Sequence, residues 1–197
     1  GLTEQASVSQ YRLASHLSVA LVIFSLLIWT GFDLRDGRAK WPKGHSMASL
    51  ALLGITILAG ALVAGMDAGL LYNHYPLMGN GLVPVEYGEA GWLDPFENPA
   101  SAQFHHRWIA AVTFGAVVVL AVKARRRGLH LRGNLVLGAI VAQFILGIVT
   151  LLHGVPVALG GMHQAGAVVL LGCLLALLHG ESQHRQTPLI AQASPFS

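Results

Sequence analysis

Polar residues are scarce along most of this chain, and where they cluster they cut it into apolar runs. Crossing a bilayer takes about 20 residues of helix, and five runs are long enough: residues 11–32, 46–72, 103–122, 134–152 and 162–178. Each is apolar nearly all round rather than along one stripe, as a helix surrounded by lipid should be. The two-residue alternation of a membrane barrel strand is absent. Glycine recurs within the runs, at Gly54, Gly60, Gly65 and Gly69 of the second and at Gly138 and Gly147 of the fourth. In lipid, small residues let helix backbones approach closely. The pattern predicts an all-α polytopic membrane protein with five transmembrane helices.

Charge adds sidedness. Only 11% of the residues are charged, against about 25% in soluble domains. Arg35, Arg38, Lys40 and Lys43 fall in the loop FDLRDGRAKWPKG, and Lys123, Arg125, Arg126, Arg127 and Arg132 in VKARRRGLHLRG. From Asn73 to His106 there is no Lys or Arg, but Glu86, Glu89, Asp94 and Glu97 lie there. By the positive-inside rule the basic loops face the cytoplasm or matrix and the loop 73–102 faces outward. Trp29 and Trp41 then fall at the inner interface, Trp92 and Trp108 at the outer. The net charge of +3 is thus a topology signal; the lipid bilayer is the expected partner and nucleic acid is not. The lone Cys173 sits deep in an apolar run, which excludes a disulfide scaffold or a CxxC redox pair. The opening GLTEQASVSQ lacks the basic-then-apolar order of a signal peptide. The outer loop is longer than an ordinary connection and rich in turn formers, which predicts an ordered cover over the outer helix ends with a short interfacial helix.

Within this frame the histidines divide. His45, His130, His179 and His184 lie in or beside the inner loops, where solvated surface is expected, and His74 and His153 lie at outer helix ends. His16, His106 and His163 sit near the starts of the first, third and fifth spans, which all run from outside to inside. All three therefore lie at one depth beneath the outer surface, and ionisable groups inside membranes mark functional sites by default. A small residue follows each by one turn (Ala20, Ala110 and Ala167), Ala102 precedes His106 by a turn, and Gly166 follows His163 by three. Residues three and four apart share a helix face, so these histidines predict flat surfaces where a large planar ligand fits. Zinc needs no such space and wants a carboxylate or thiolate nearby; haem does need it. Arg107 beside His106 and Arg12 one turn above His16 are placed either to pair with haem propionates or to snorkel to the surface. Adjacent helical residues point about 100° apart, so only one of His105 and His106 can be the ligand. Asp67 reads either as a proton or orienting group or as a backbone partner where the helix unwinds at Gly65 and Gly69. Glu97 and Asn98 are expected to cap the third span, with Pro99 as its first helical residue.

The stretches SQYRLASHLSVAL, GALVAGMDAGLLYNHYPLMG, FENPASAQFHHR and GGMHQAGAVVLL together resemble haem A synthase of the mitochondrial and alphaproteobacterial type, from about Val8 to Leu178 and over the C-terminal part of that family only. Members have eight membrane helices in two four-helix halves. The resemblance implies that residues 1–32 hold an outer N-terminal segment and the last helix of the N-terminal half. Residues 46–180 would form a four-helix haem b bundle with the long outer loop 73–102, and 181–197 an inner polar tail. It implies that His106 and His163 are the axial ligands of haem b iron. His16 would serve the iron of the substrate haem, its partner lying on a helix this sequence does not contain. The implied reaction oxidises a methyl group of haem O to the formyl of haem A for cytochrome oxidase assembly. The electron donor is unspecified. Haem O synthase, cytochrome oxidase assembly factors or a second copy of the chain are the implied partners, in the bacterial cytoplasmic or mitochondrial inner membrane. The outer-loop cysteine pair of some members is absent. Two other readings stay open: a bis-histidine membrane cytochrome b or haem-binding assembly factor without chemistry of its own, and a transporter using histidines for protons or metal.

Overall fold

A computed structural model describes residues 9–192, with side chains described to residue 185; the expectations for the first eight residues and for the end of the polar tail lie outside these. The described residues contain no strand. Six helices follow one another: α1 Gln10–Asp36, α2 His45–Gly65, the single-turn α3 Asp94–Glu97, α4 Pro99–Arg126, α5 His130–Leu152 and α6 Val157–Gln192. Five of them are long and apolar enough to cross a membrane.

Short connections make sequence neighbours into antiparallel spatial neighbours. Helices α2, α4, α5 and α6 pack in that order, α2 closes lightly onto α6, and α1 lies outside against α2 and α6. Large apolar side chains point outward all along the bundle, among them Leu27, Ile55, Val112, Leu135, Ile145 and Val169. This is the surface lipid would cover.

The two ends of the bundle are built differently. At the basic end, α1 meets the other helices through a stacked Trp29–Trp41 pair, 4.5 Å between ring centroids, and through Asp36, which accepts from Arg132 at 3.0 Å. Glu181 accepts from Ser46 at 2.7 Å, from Arg185 at 2.9 Å and from Arg127, tying α2 and the α4–α5 loop to α6. The packed core fills this half: Trp29, Leu53, Val117, Leu120, Val136 and Leu174 with their neighbours. Towards the other end, which carries the long loop, the fully buried apolar side chains among the described residues are Ala61, Ala68, Ala100, Ala102 and Met78. The fully buried core of large side chains thus stops halfway along the bundle.

Two expectations are corrected here. The second span ends at Gly65, not at residue 72, because Asp67 adopts a left-handed conformation (φ 50°) and opens a 3-10 turn, Ala68–Leu70. A Cβ on Gly65 would stand 2.6 Å from the Cα of Gln10, so α1 abuts the helix where it stops. His179 is not solvated: it is fully buried, its Nε2 2.9 Å from Asp33 Oδ1, with Trp29 and Phe32 over its ring. Helix α6 runs on past the predicted end of the span and carries His179 under α1.

Candidate functional site

Asn98 starts α4: its Oδ1 accepts from the backbone N–H groups of Ala100 (3.0 Å) and Ser101 (3.4 Å), and Pro99 takes the first turn. Seven residues on from Pro99 stands His106; six on from Val157, the first residue of α6, stands His163. At 1.5 Å per residue both are about 10 Å into helices that begin at the loop end. Their rings lie within electrostatic reach of each other.

Each imidazole leans on the neighbouring antiparallel helix in the same way. A Cβ on Gly60 of α2 would come 3.0 Å from His106 Cε1, and one on Gly147 of α5 would come 2.8 Å from His163 Cε1. Gly60 lies five residues before the last residue of α2, and Gly147 five before the last of α5. One turn before each glycine is the residue that engages the ring: Thr56, whose carbonyl is 3.2 Å from His106 Nδ1, and Gln143, whose Nε2 is 3.1 Å from His163 Nδ1. Thr56 is itself anchored to α4 by a 2.7 Å bond to Thr113. The α2–α4 and α5–α6 hairpins therefore present two half-buried imidazoles at one level. In both, Nδ1 is occupied and Nε2 has no hydrogen bond.

The other predicted residues distribute themselves around this pair. Arg107 closes the loop: it donates to the carbonyls of Tyr72 (2.6 Å), His74 (2.9 Å) and Leu77 (3.2 Å), and its Nε is buried without a partner. It meets no carboxylate among the described residues. His105 turns away from His106, bonding the Ser101 carbonyl at 2.7 Å and stacking on Tyr87. His16 and Arg12 are exposed on α1 and are not gathered with His106 and His163. Asp67 is exposed and its side chain caps nothing. Glu97 does not cap α4; it accepts from the Tyr11 hydroxyl and joins α3 to α1. The space beside Gly166 is not left for a planar ligand, because the Gln143 amide occupies it.

Two side chains that organise this end of the bundle were given no role at the site by the sequence argument. Gln143 is one; the signal was a glutamine inside an apolar span, four residues before a glycine, at the spacing that Thr56 and Gly60 also show. Asp94 is the other. Its buried carboxylate accepts from the N–H groups of Gly88 (2.8 Å) and Ala90 (3.0 Å), from Asn98 Nδ2 (3.0 Å) and from Ser101. Burial alone pushes its pKa up, but these donors outweigh it and hold it at about 2. Asn98 also donates to the Glu86 carbonyl at 2.6 Å, and Glu86 accepts from Tyr72 at 2.7 Å. Asn73 donates to the carbonyls of Gly69 and Leu151. The loop is thereby an ordered cover over the helix ends, as expected, with α3 as its short helix.

Among the described residues no group of three or more His, Cys, Asp or Glu side chains could hold a bare metal ion. Two imidazoles whose Nε2 atoms make no hydrogen bond, each with a glycine of the neighbouring helix against its ring, are the residue types that would serve a porphyrin iron, whose remaining ligands come from the ring.

The chain is similar to heme A synthase of Rhodospirillum centenum, 46% identical over 191 residues, which is 91% of this chain and 51% of the relative. It is 43% identical to heme A synthase of Caulobacter vibrioides (89% of this chain, 54% of the relative). It is likewise 43% identical to that of Allorhizobium ampelinum (91% and 52%). The chain thus spans about half the length of these relatives. No solved structure matches it. A family model described as cytochrome oxidase assembly protein, COX15-CtaA, matches residues 1–175, and the chain belongs to that family.

Proposed function

We propose that this chain is the haem b-binding part of a haem A synthase, the membrane enzyme that oxidises a methyl group of haem O to the formyl group of haem A. The observation that carries the reading is the matched pair His106 and His163, each backed by a glycine and each with Nδ1 engaged and Nε2 free. The Thr56 carbonyl holds the His106 ring by accepting a hydrogen bond from Nδ1–H, which leaves the lone pair on Nε2 for a metal. Gly60 and Gly147 let the Cε1 edge of each ring press against the neighbouring helix. Arg107, a cation facing only carbonyls, suits a propionate at the loop end, while the loop 73–98 excludes water from above. Haem held by two histidines has no open iron position and supplies one-electron transfer.

His16 and Arg12 stand on the exposed side of α1, where they suit a second, substrate haem. The relatives are about twice as long as this chain, which leaves room for its remaining ligand. The basic loops support a reading in which the loop end faces the periplasmic or intermembrane side of a bacterial cytoplasmic or mitochondrial inner membrane.

The test is a reduced-minus-oxidised absorption spectrum of the purified protein. We expect a low-spin haem b signal that H106A and H163A each abolish; an unchanged signal overturns the ligand assignment. A cytochrome b without chemistry of its own shares this site, and the exposed His16 favours it for the chain by itself. Incubation with haem O and a reductant, followed by chromatography of the pigments, separates the two: a formyl product marks the enzyme.

A further inference from the structure

The two histidines are held at equivalent positions but not by equivalent chemistry. His106 Nδ1 faces a backbone carbonyl, which only accepts, so the proton sits on Nδ1 and Nε2 is left with its lone pair. His163 Nδ1 faces a side-chain amide, which can do either. As it stands, Gln143 Nε2 donates both to the His163 carbonyl (2.8 Å) and to His163 Nδ1 (3.1 Å). Nδ1 is then an acceptor, the proton is on Nε2, and this tautomer cannot ligate a metal. The other end of the same amide, Oε1, is buried with no hydrogen-bond partner. It lies so close against Gly166 that any side chain there would collide with it.

We infer that Gln143 is a positioning residue that sets the tautomer of His163. Half a turn of the amide presents Oε1 to Nδ1, the imidazole proton moves from Nε2 to Nδ1, and Nε2 becomes a ligand. The same turn gives Oε1 the partner it lacks. It does so at the cost of taking Nε2 off both its acceptors and setting Oε1 beside the His163 carbonyl, so the ligand form is the one that a bound iron must favour. The His163 carbonyl keeps its acceptor role in the α6 ladder. Gly166 supplies the clearance the amide needs on the far side. His106 is thus a ligand fixed in advance, whereas His163 becomes one only when the amide turns.

The inference rests on the bis-histidine reading, and the experiment separates the two. Holoprotein carrying Q143L or Q143E is compared with the unaltered protein by low-spin spectrum, carbon monoxide binding to the reduced form, and midpoint potential. Q143L removes the acceptor: the low-spin fraction falls and the carbon monoxide-reactive fraction rises several-fold, because one face of the iron is released. Q143E replaces the amide with a stronger acceptor for the Nδ1 proton: the low-spin spectrum persists and the midpoint potential moves negative. If Q143L and Q143E both match the unaltered protein in all three measurements, the role of Gln143 is overturned while the ligand assignment stands. Should Q143L not accumulate, an unshifted potential in Q143E overturns it alone. If H163A keeps the low-spin signal, the underlying reading fails instead.

Discussion

Gly60 and His106 touch across the α2–α4 interface with no room for a methyl group: a Cβ on the glycine would stand 3.0 Å from the imidazole Cε1. The pair Gly147 and His163 repeats the contact at 2.8 Å. A ring held this way has one plane and one bearing, which a metal ligand requires. Gly60→Ala and Gly147→Ala both displace the ring they face, and the tighter contact makes Gly147→Ala the more damaging. The low-spin haem signal per protein should fall in both variants and further in Gly147→Ala; equal retention in the two would show that the glycines do not set the rings.

Asp94 organises the cover. Its folded pKa of about 2 lies below the ordinary carboxylate value of about 3.9. The stabilisation is therefore fully present above about pH 4 and is lost as pH falls towards 2. Hydrogen exchange at the Gly88 and Ala90 amides, corrected for intrinsic rate, should accelerate over that window. In Asp94→Asn these amides should be poorly protected throughout, with no comparable pH dependence.

Arg107 ties the start of the loop to α4 through three carbonyls. Arg107→Ala leaves all three without that donor. Exchange protection should drop at residues 72–77 while the basic half of the bundle is unaffected. Arg107→Lys should recover only part, since an ammonium cannot reproduce the guanidinium fork.

At the opposite end Glu181 gathers Ser46, Arg127 and Arg185 from a site that is 4% exposed. Replacing it with Ala leaves Ser46 without its partner and two guanidinium groups uncompensated. Hydrogen bonds to a buried charged group contribute about 1.5–3 kcal/mol, so the melting temperature in detergent should drop by several degrees. The haem spectrum of the folded fraction should not change.

The spans were legible because bilayer thickness imposes a length and lipid imposes a composition, and both are written in the residues. Their ends were less so. Residues 66–72 prolong the apolar run with Ala68, Leu70 and Leu71, and hydropathy does not register that Asp67 takes a positive φ and ends the regular winding. The depth of His106 and His163 followed from counting residues, because both helices start at the same end of the bundle, α4 after the acidic loop and α6 after the short turn that follows α5. What held their rings was hidden, since Gly60, Gly147, Thr56 and Gln143 belong to other helices and only packing brings them near. His179 shows the same limit from the other side: the sequence turns polar just after it, while its neighbours in space are Trp29 and Phe32.

The core that stops halfway has a mechanical consequence. Interlocked side chains and Glu181 make the basic half a stiff fulcrum, while the opposite half is joined by its loop and by a few polar contacts between helices. The flat pigment proposed above would then enter by a small splaying of the helix tips, as between the jaws of a peg, with no need for the chain to unfold. Heat resistance of that half should accordingly track pigment supply, rising as the jaws are filled.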